Sequence, residues 1–146
     1  EAAYERSRSA VAGLTARSAM ITRYETIAPQ EPLGRAAELL LASHQQDFPV
    51  VDAWGRVAGL LHRGALLAAL ATPNGRERAV LEVMDREPQT VSADMPLEAV
   101  LRHLQSRPLQ PILVIGQETG ESGLIGMITL DNLGELIQIS QASKPA

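Results

Sequence analysis

The chain has 146 residues, 45% of them hydrophobic and 3% aromatic, with a formal net charge of -4 at pH 7. That length suits one ordinary domain with a real core, and the mild acidity leaves no basic footprint for nucleic acid. There is no cysteine, which excludes disulfides and thiolate metal sites, and no apolar run approaches the roughly 18 residues that would span a bilayer. The opening "EAAYERSRSA" lacks the features of a signal peptide; beginning on Glu1 rather than Met, it reads as a fragment or processed chain, with an intracellular location expected.

Residues 1–14 carry few large apolar side chains, Tyr4, Val11 and Leu14, and read as a lead-in helix or linker. Arg6 and Arg8 are offset by Glu1 and Glu5, so a membrane-surface helix has little support. From Ala16 the sequence repeats itself. Setting Met20 on Met84, an offset of 64, lays "TIAPQEPL" over "TVSADMPL" and "FPVV" over "ILVI". A three-residue insertion within "GQETGESG" then moves the offset to 67, so that Gly59 falls on Gly126 and Leu66 on Leu133. The reading is a first repeat over 15–72, a linker over 73–79, a second repeat over 80–140 and a tail over 141–146.

Each repeat resolves into the same elements. A short strand at "ETIA" or "QTVS" comes first. A helix follows each Pro-Leu, with apolar positions Leu33, Ala36, Ala37, Leu40 and Leu41 in one copy and Leu97, Val100, Leu101 and Leu104 in the other, spaced to form one buried stripe. Asp94 is expected to cap the second of these helices, and the weaker Gln30 the first. Two short aliphatic strands follow in each copy, "FPVVD" with "RVAGLL" and "PILVIG" with "GLIGMI". Glycine-containing loops join them into hairpins, and their apolar character predicts sheets covered on both faces. Second helices are expected at about 63–71 and 130–140. The fold class is therefore α+β: two pseudo-symmetric β-α-β-β-α repeats, packed sheet to sheet because neither copy has enough apolar surface to stand alone.

This duplicated pattern, with "FPVVD", the Gly-Leu-Leu before a helix and "TVSADMPLEAVLRHL", resembles a tandem pair of CBS domains, the regulatory modules named after cystathionine β-synthase. The stretches "SHQQDFPVVD", "PLGRAAELLLAS" and "TLDNLGELIQI" are similar, more narrowly, to the C-terminal CBS pair of site-two-protease-like membrane zinc metallopeptidases. That likeness implies a zinc-dependent protease domain elsewhere in the parent, a location at the cytoplasmic face of the membrane and a homodimer. Zinc would belong to the parent alone. The histidines here, His44, His62 and His103, do not form a His-Glu-x-x-His motif, and no converging nucleophile or acid-base pair is visible, so the chain is expected to be a non-catalytic regulatory fragment.

The resemblance also implies an adenine-nucleotide site, for AMP, ADP or ATP, in the cleft between repeats. A Thr or Ser opening the last helix would meet phosphate, an Asp three residues on would hold the ribose, and the strands near "TV" and "PVV" would sandwich the base. In the second repeat these positions are Thr129, Asn132, Thr90, Val91 and Ile112. A helix start suits phosphate, but Asn132 offers one accepting oxygen where the family pattern has a carboxylate, and Thr129 and Asn132 could instead merely finish the helix. In the first repeat Ile27 and Phe48 take the strand positions, His62 replaces the Thr, Ala65 replaces the Asp, and Arg63 is the nearby cation. The two sites are expected to be unequal. The alternative is a ligand-free module for dimerisation or interaction.

Overall fold

The structure, a computed structural model, describes residues 12–107, 110–116 and 123–142. The lead-in segment up to residue 11, the loop 117–122 and the end of the tail lie outside the described residues. In chain order the elements are α1 (Ala16–Ala19), α2 (Leu33–Ala42), β1 (Asp47–Val51), β2 (Val57–His62), α3 (Arg63–Leu70), β3 (Thr90–Ser92), α4 (Leu97–Ser106), β4 (Ile112–Gly116), β5 (Gly123–Ile128) and α5 (Leu130–Ala142). Single 3₁₀ turns occur at Gly75–Glu77 and Val80–Glu82.

Strands β1 and β2 pair antiparallel, from Asp47 opposite His62 to Val51 opposite Val57. Ile27 adds a parallel bridge to Val50 on the other edge of β1. In the second sheet, of order β3-β4-β5, β3 lies parallel to β4 with Val91 opposite Val114. The two arrangements correspond at the repeat offsets, Ile27 to Val91 and Val50 to Val114.

The repeats in sequence are not the compact bodies in space. One unit gathers the described residues of 12–22, 89–116 and 125–142, and the other gathers 23–88 with 123–124. The segment leading into the first repeat thus packs on the second, and the segment leading into the second packs on the first. Ile21 and Met127 exchange backbone hydrogen bonds of 2.8 and 3.0 Å, while Asp85 and Leu60 exchange bonds of 2.8 and 2.9 Å. Each exchanged segment therefore completes one edge of the sheet it joins.

The same exchange starts the helices. Leu33 N–H donates to Arg78 O at 2.8 Å and Leu97 N–H to Leu14 O at 2.9 Å. Val80 N–H donates to Glu31 O and Ala16 N–H to Met95 O. These four bonds form two pairs, each related by the 64-residue offset. The expected caps Gln30 and Asp94 are corrected: α2 and α4 begin after Pro32 and Pro96, neither with a side-chain cap. Backbone carbonyls of the exchanged segments satisfy the first helical amides, which would otherwise be orphaned, and Asp94 stands exposed in a turn held by Ser92.

Each unit has its own apolar cluster. Leu97, Val100, Leu101 and Leu104 of α4 pack with Val91, Ile112, Val114 and Ile128, together with Ala16 and Ala19 of α1. Leu33, Ala36 and Leu39 of α2 pack with Ile27, Phe48, Val50, Leu61 and Leu66, together with Val80. The second helical stripe is as expected, but in the first Leu39 is buried and Leu41 is 88% exposed. At about 100° per residue Leu41 stands roughly 80° beyond Leu33 on one side, whereas Ala36, Leu39 and Leu40 lie on the other.

Candidate functional site

At the start of α5 the Thr129 hydroxyl accepts the Asn132 amide N–H at 3.1 Å, and Leu133 N–H donates to Thr129 O at 3.0 Å. This is the geometry of an N-cap, in which a short polar side chain serves a helical amide that has no partner one turn back. The Asn132 carboxamide Nδ2–H donates to Ala19 O. Asn132 thus faces the exchanged α1 segment, and its donor is committed to that backbone. Asp131 is exposed on the first turn of the helix.

The strand residues expected beside a ligand fall in the same unit. Thr90 is exposed at the head of β3 opposite Leu113, and Gln89 O accepts Leu113 N–H at 2.9 Å. Val91 and Ile112 are core side chains, 4% and 0% exposed, so the surface they offer is backbone. Sequence reasoning missed Gln89. Its Nε2 is enclosed and has no hydrogen-bond partner, a state that costs about 1–3 kcal/mol where a donor is left unmet. The available signal was weak: at the repeat offset Gln89 falls on the exposed Glu25.

The corresponding corner of the other unit is built differently. His62 ends β2 and precedes Arg63, the first residue of α3, whose N–H donates to Gln46 O at 2.9 Å. The His62 Nδ1 hydrogen-bonds Asp47 Oδ1 at 2.8 Å, and its Nε2 lies 3.6 Å from Asp85 Oδ2. The hydrogen bond to Asp47 is the main cause that raises the His62 pKa above its usual 6.5; burial opposes it, and Asp85 adds to it. The Arg63 side chain is exposed, while Phe48 and Ile27 are buried in the core, 0% and 4% exposed. Two carboxylates therefore face the imidazole on which a phosphate would have to settle, and their charge disfavours an anion there.

Sequence reasoning passed over Asp47 and Asp85 as well, although the repeat itself marked them. At the corresponding positions of the other repeat, Asp47, His62 and Asp85 are Pro111, Thr129 and Ile21. Three departures from the internal symmetry meet in one cluster. Among the described residues no group of three or more His, Asp or Glu is placed to hold a metal ion, and no helix is long and apolar enough to cross a membrane.

The CBS-domain profile matches residues 16–72 and 80–138, and the chain belongs to that family as a tandem pair, a regulatory type of module. No curated protein sequence matches it. Among solved structures it is similar to the CBS domain of the bacterial CNNM/CorC family Mg2+ transporter in complex with ATP, at 20% identity and TM-score 0.78, covering 92% of this chain and 94% of that one. CBSX2 in complex with AMP matches at 22% identity and TM-score 0.76, covering 90% of this chain and 100% of that one. A CBS-domain protein of unknown function from Bacillus anthracis matches at 16% identity and TM-score 0.77, covering 90% and 98%. At these identities the likeness establishes the fold.

Proposed function

We propose that the chain is a regulatory CBS pair that senses an adenine nucleotide, AMP, ADP or ATP, through one of two unequal sites. The competent site uses the second-repeat residues Thr90, Thr129 and Asn132 with the backbone at Val91 and Ile112. The observation that carries this reading is that the exposed Thr90 at the head of β3 and the α5 start formed by Thr129 and Asn132 belong to one compact unit. Support for the ligand class comes from the fold relatives solved with ATP and with AMP. The His62 and Arg63 corner is the degenerate site, because Asp47 and Asp85 crowd it with negative charge.

The test is thermal unfolding of the 146-residue chain with and without AMP, ADP and ATP. A ligand at a hundredfold its dissociation constant adds about 2.7 kcal/mol. Gln89→Leu is expected to raise the stability of the nucleotide-free chain, and Thr129→Val to reduce the stabilisation by nucleotide. If no adenine nucleotide at millimolar concentration shifts the transition, the reading fails.

One observation favours a second reading, a ligand-free dimerisation or interaction module: Thr129 and Asn132 already serve internal hydrogen bonds. Solution mass measurement addresses it, since a strictly monomeric chain would remove the homodimer. As for parentage, the stretches "SHQQDFPVVD" and "TLDNLGELIQI" support placing the module at the cytoplasmic face of a site-two-protease-like zinc metallopeptidase. A gene encoding apolar spans with a His-Glu-x-x-His helix upstream of Glu1 is the expected finding.

A further inference from the structure

The two strand-to-helix corners perform the same structural task with different chemistry. In one unit Asn132, on α5, holds Ala19 of the exchanged segment by a neutral hydrogen bond from its carboxamide Nδ2–H to Ala19 O. In the other, His62 at the start of α3 faces Asp85 of the exchanged segment. We propose that His62 is a proton-controlled clasp: protonation at Nε2 ties Asp85, and with it the segment 80–88, to the β2–α3 corner, and deprotonation releases that tie.

The geometry sets the direction. Asp47 Oδ1, 2.8 Å from Nδ1, keeps the neutral ring's proton on that nitrogen, because a carboxylate only accepts. The Nε2 lone pair of the neutral ring then points toward the Asp85 carboxylate, 3.6 Å away, with no proton between them. Adding a proton turns this contact into an ion pair. Asp85 is also the residue whose backbone exchanges two hydrogen bonds with Leu60, so its side chain and the sheet edge are held or loosened together. Its Oδ1 accepts Glu87 N–H at 2.9 Å, which carries the restraint along the segment.

The charged groups around the ring are Asp47 from β1, Asp85 from the exchanged segment and, next in the chain, the exposed Arg63 of α3. The side chains of His62, Asp47 and Asp85 are 28%, 21% and 30% exposed, so protons reach the cluster without unfolding. The pKa of His62 is raised in the fold. Its contribution to stability is therefore full below the unfolded value near 6.5 and is lost as pH rises through the folded value. This window overlaps the range in which histidine acts as a switch.

The experiment is amide hydrogen exchange on the nucleotide-free 146-residue chain at about pH 5.5 and about pH 8.5, with rates corrected for intrinsic exchange. The reporters are the amides of Leu60 and Asp85, and the controls are their counterparts at the other sheet edge, Met127 and Ile21. Protection of Leu60 and Asp85 falls several-fold relative to the controls at the higher pH, and the fall is abolished in His62→Gln. A parallel ring titration by NMR gives a His62 pKa that drops in Asp85→Asn, a variant that leaves Asp47 in place. Equal pH responses at both edges, a fall that survives in His62→Gln, or a His62 pKa indifferent to Asp85→Asn would overturn the proposal. None of these readouts depends on nucleotide binding.

Discussion

Asn132 stands where the resemblance to nucleotide-binding CBS pairs implies a ribose-holding carboxylate, and its hydrogen bond to Ala19 O shows what the amide gains there. A carboxylate in its place has no proton to donate to Ala19 O, and it would set a negative charge against that carbonyl. Asn132→Asp is therefore expected to destabilise the nucleotide-free chain by about 1–3 kcal/mol, measured by denaturant unfolding, while raising the share of stability regained on adding ATP. Asn132→Ala leaves Ala19 O without its donor and costs about 1 kcal/mol, with no such gain. Thr129 was legible as a helix start from its residue type and spacing. The partner of Asn132 was not, because Ala19 is 113 residues distant in the chain and no local pattern encodes that meeting.

At the scale of elements, each exchanged segment packs closely on a strand glycine. A Cβ on Gly59 would lie 2.6 Å from Asp85 O and would also strike the Met84 thioether, and one on Gly126 would strike Met20. The two sites correspond at the repeat offsets, so the same close approach is used twice. Gly59→Ala and Gly126→Ala are each expected to lower stability by about 1–3 kcal/mol, the usual cost of overpacking, with hydrogen exchange opening first at Asp85 in one and at Ile21 in the other. The helices and hairpins themselves were readable from periodicity and turn residues. The structure differs at their ends: spacing puts Leu41 on the stripe but it is exposed, and the first amide of the helix after Asp94 is met by a backbone carbonyl from outside its own repeat.

For the whole molecule, the exchange of segments means that each sequence repeat depends on residues belonging to the other. Ala16 and Ala19 are 0% and 3% exposed in the cluster built on α4, and Leu14 O serves the first amide of that helix. Deletion of residues 1–22 is accordingly expected to destabilise the unit containing the second repeat first. The measurement is residue-resolved exchange: protection at Val91, Val114 and Met127 should fall before that at Val50 and Leu61. Equal loss in both units would count against this dependence.

The sequence by itself determined that the fold is duplicated, where its helices and strands lie, and that its two corners carry unequal polar groups. Each of these follows from local periodicity or from a fixed offset between positions. Tertiary structure alone decided which segment completes which sheet, which carbonyls start the helices, and that Asp47 and Asp85 converge on His62. Those outcomes depend on contacts between residues far apart in the chain, and backbone carbonyls, which supply much of the capping, are the same at every position and leave no mark in the order of side chains.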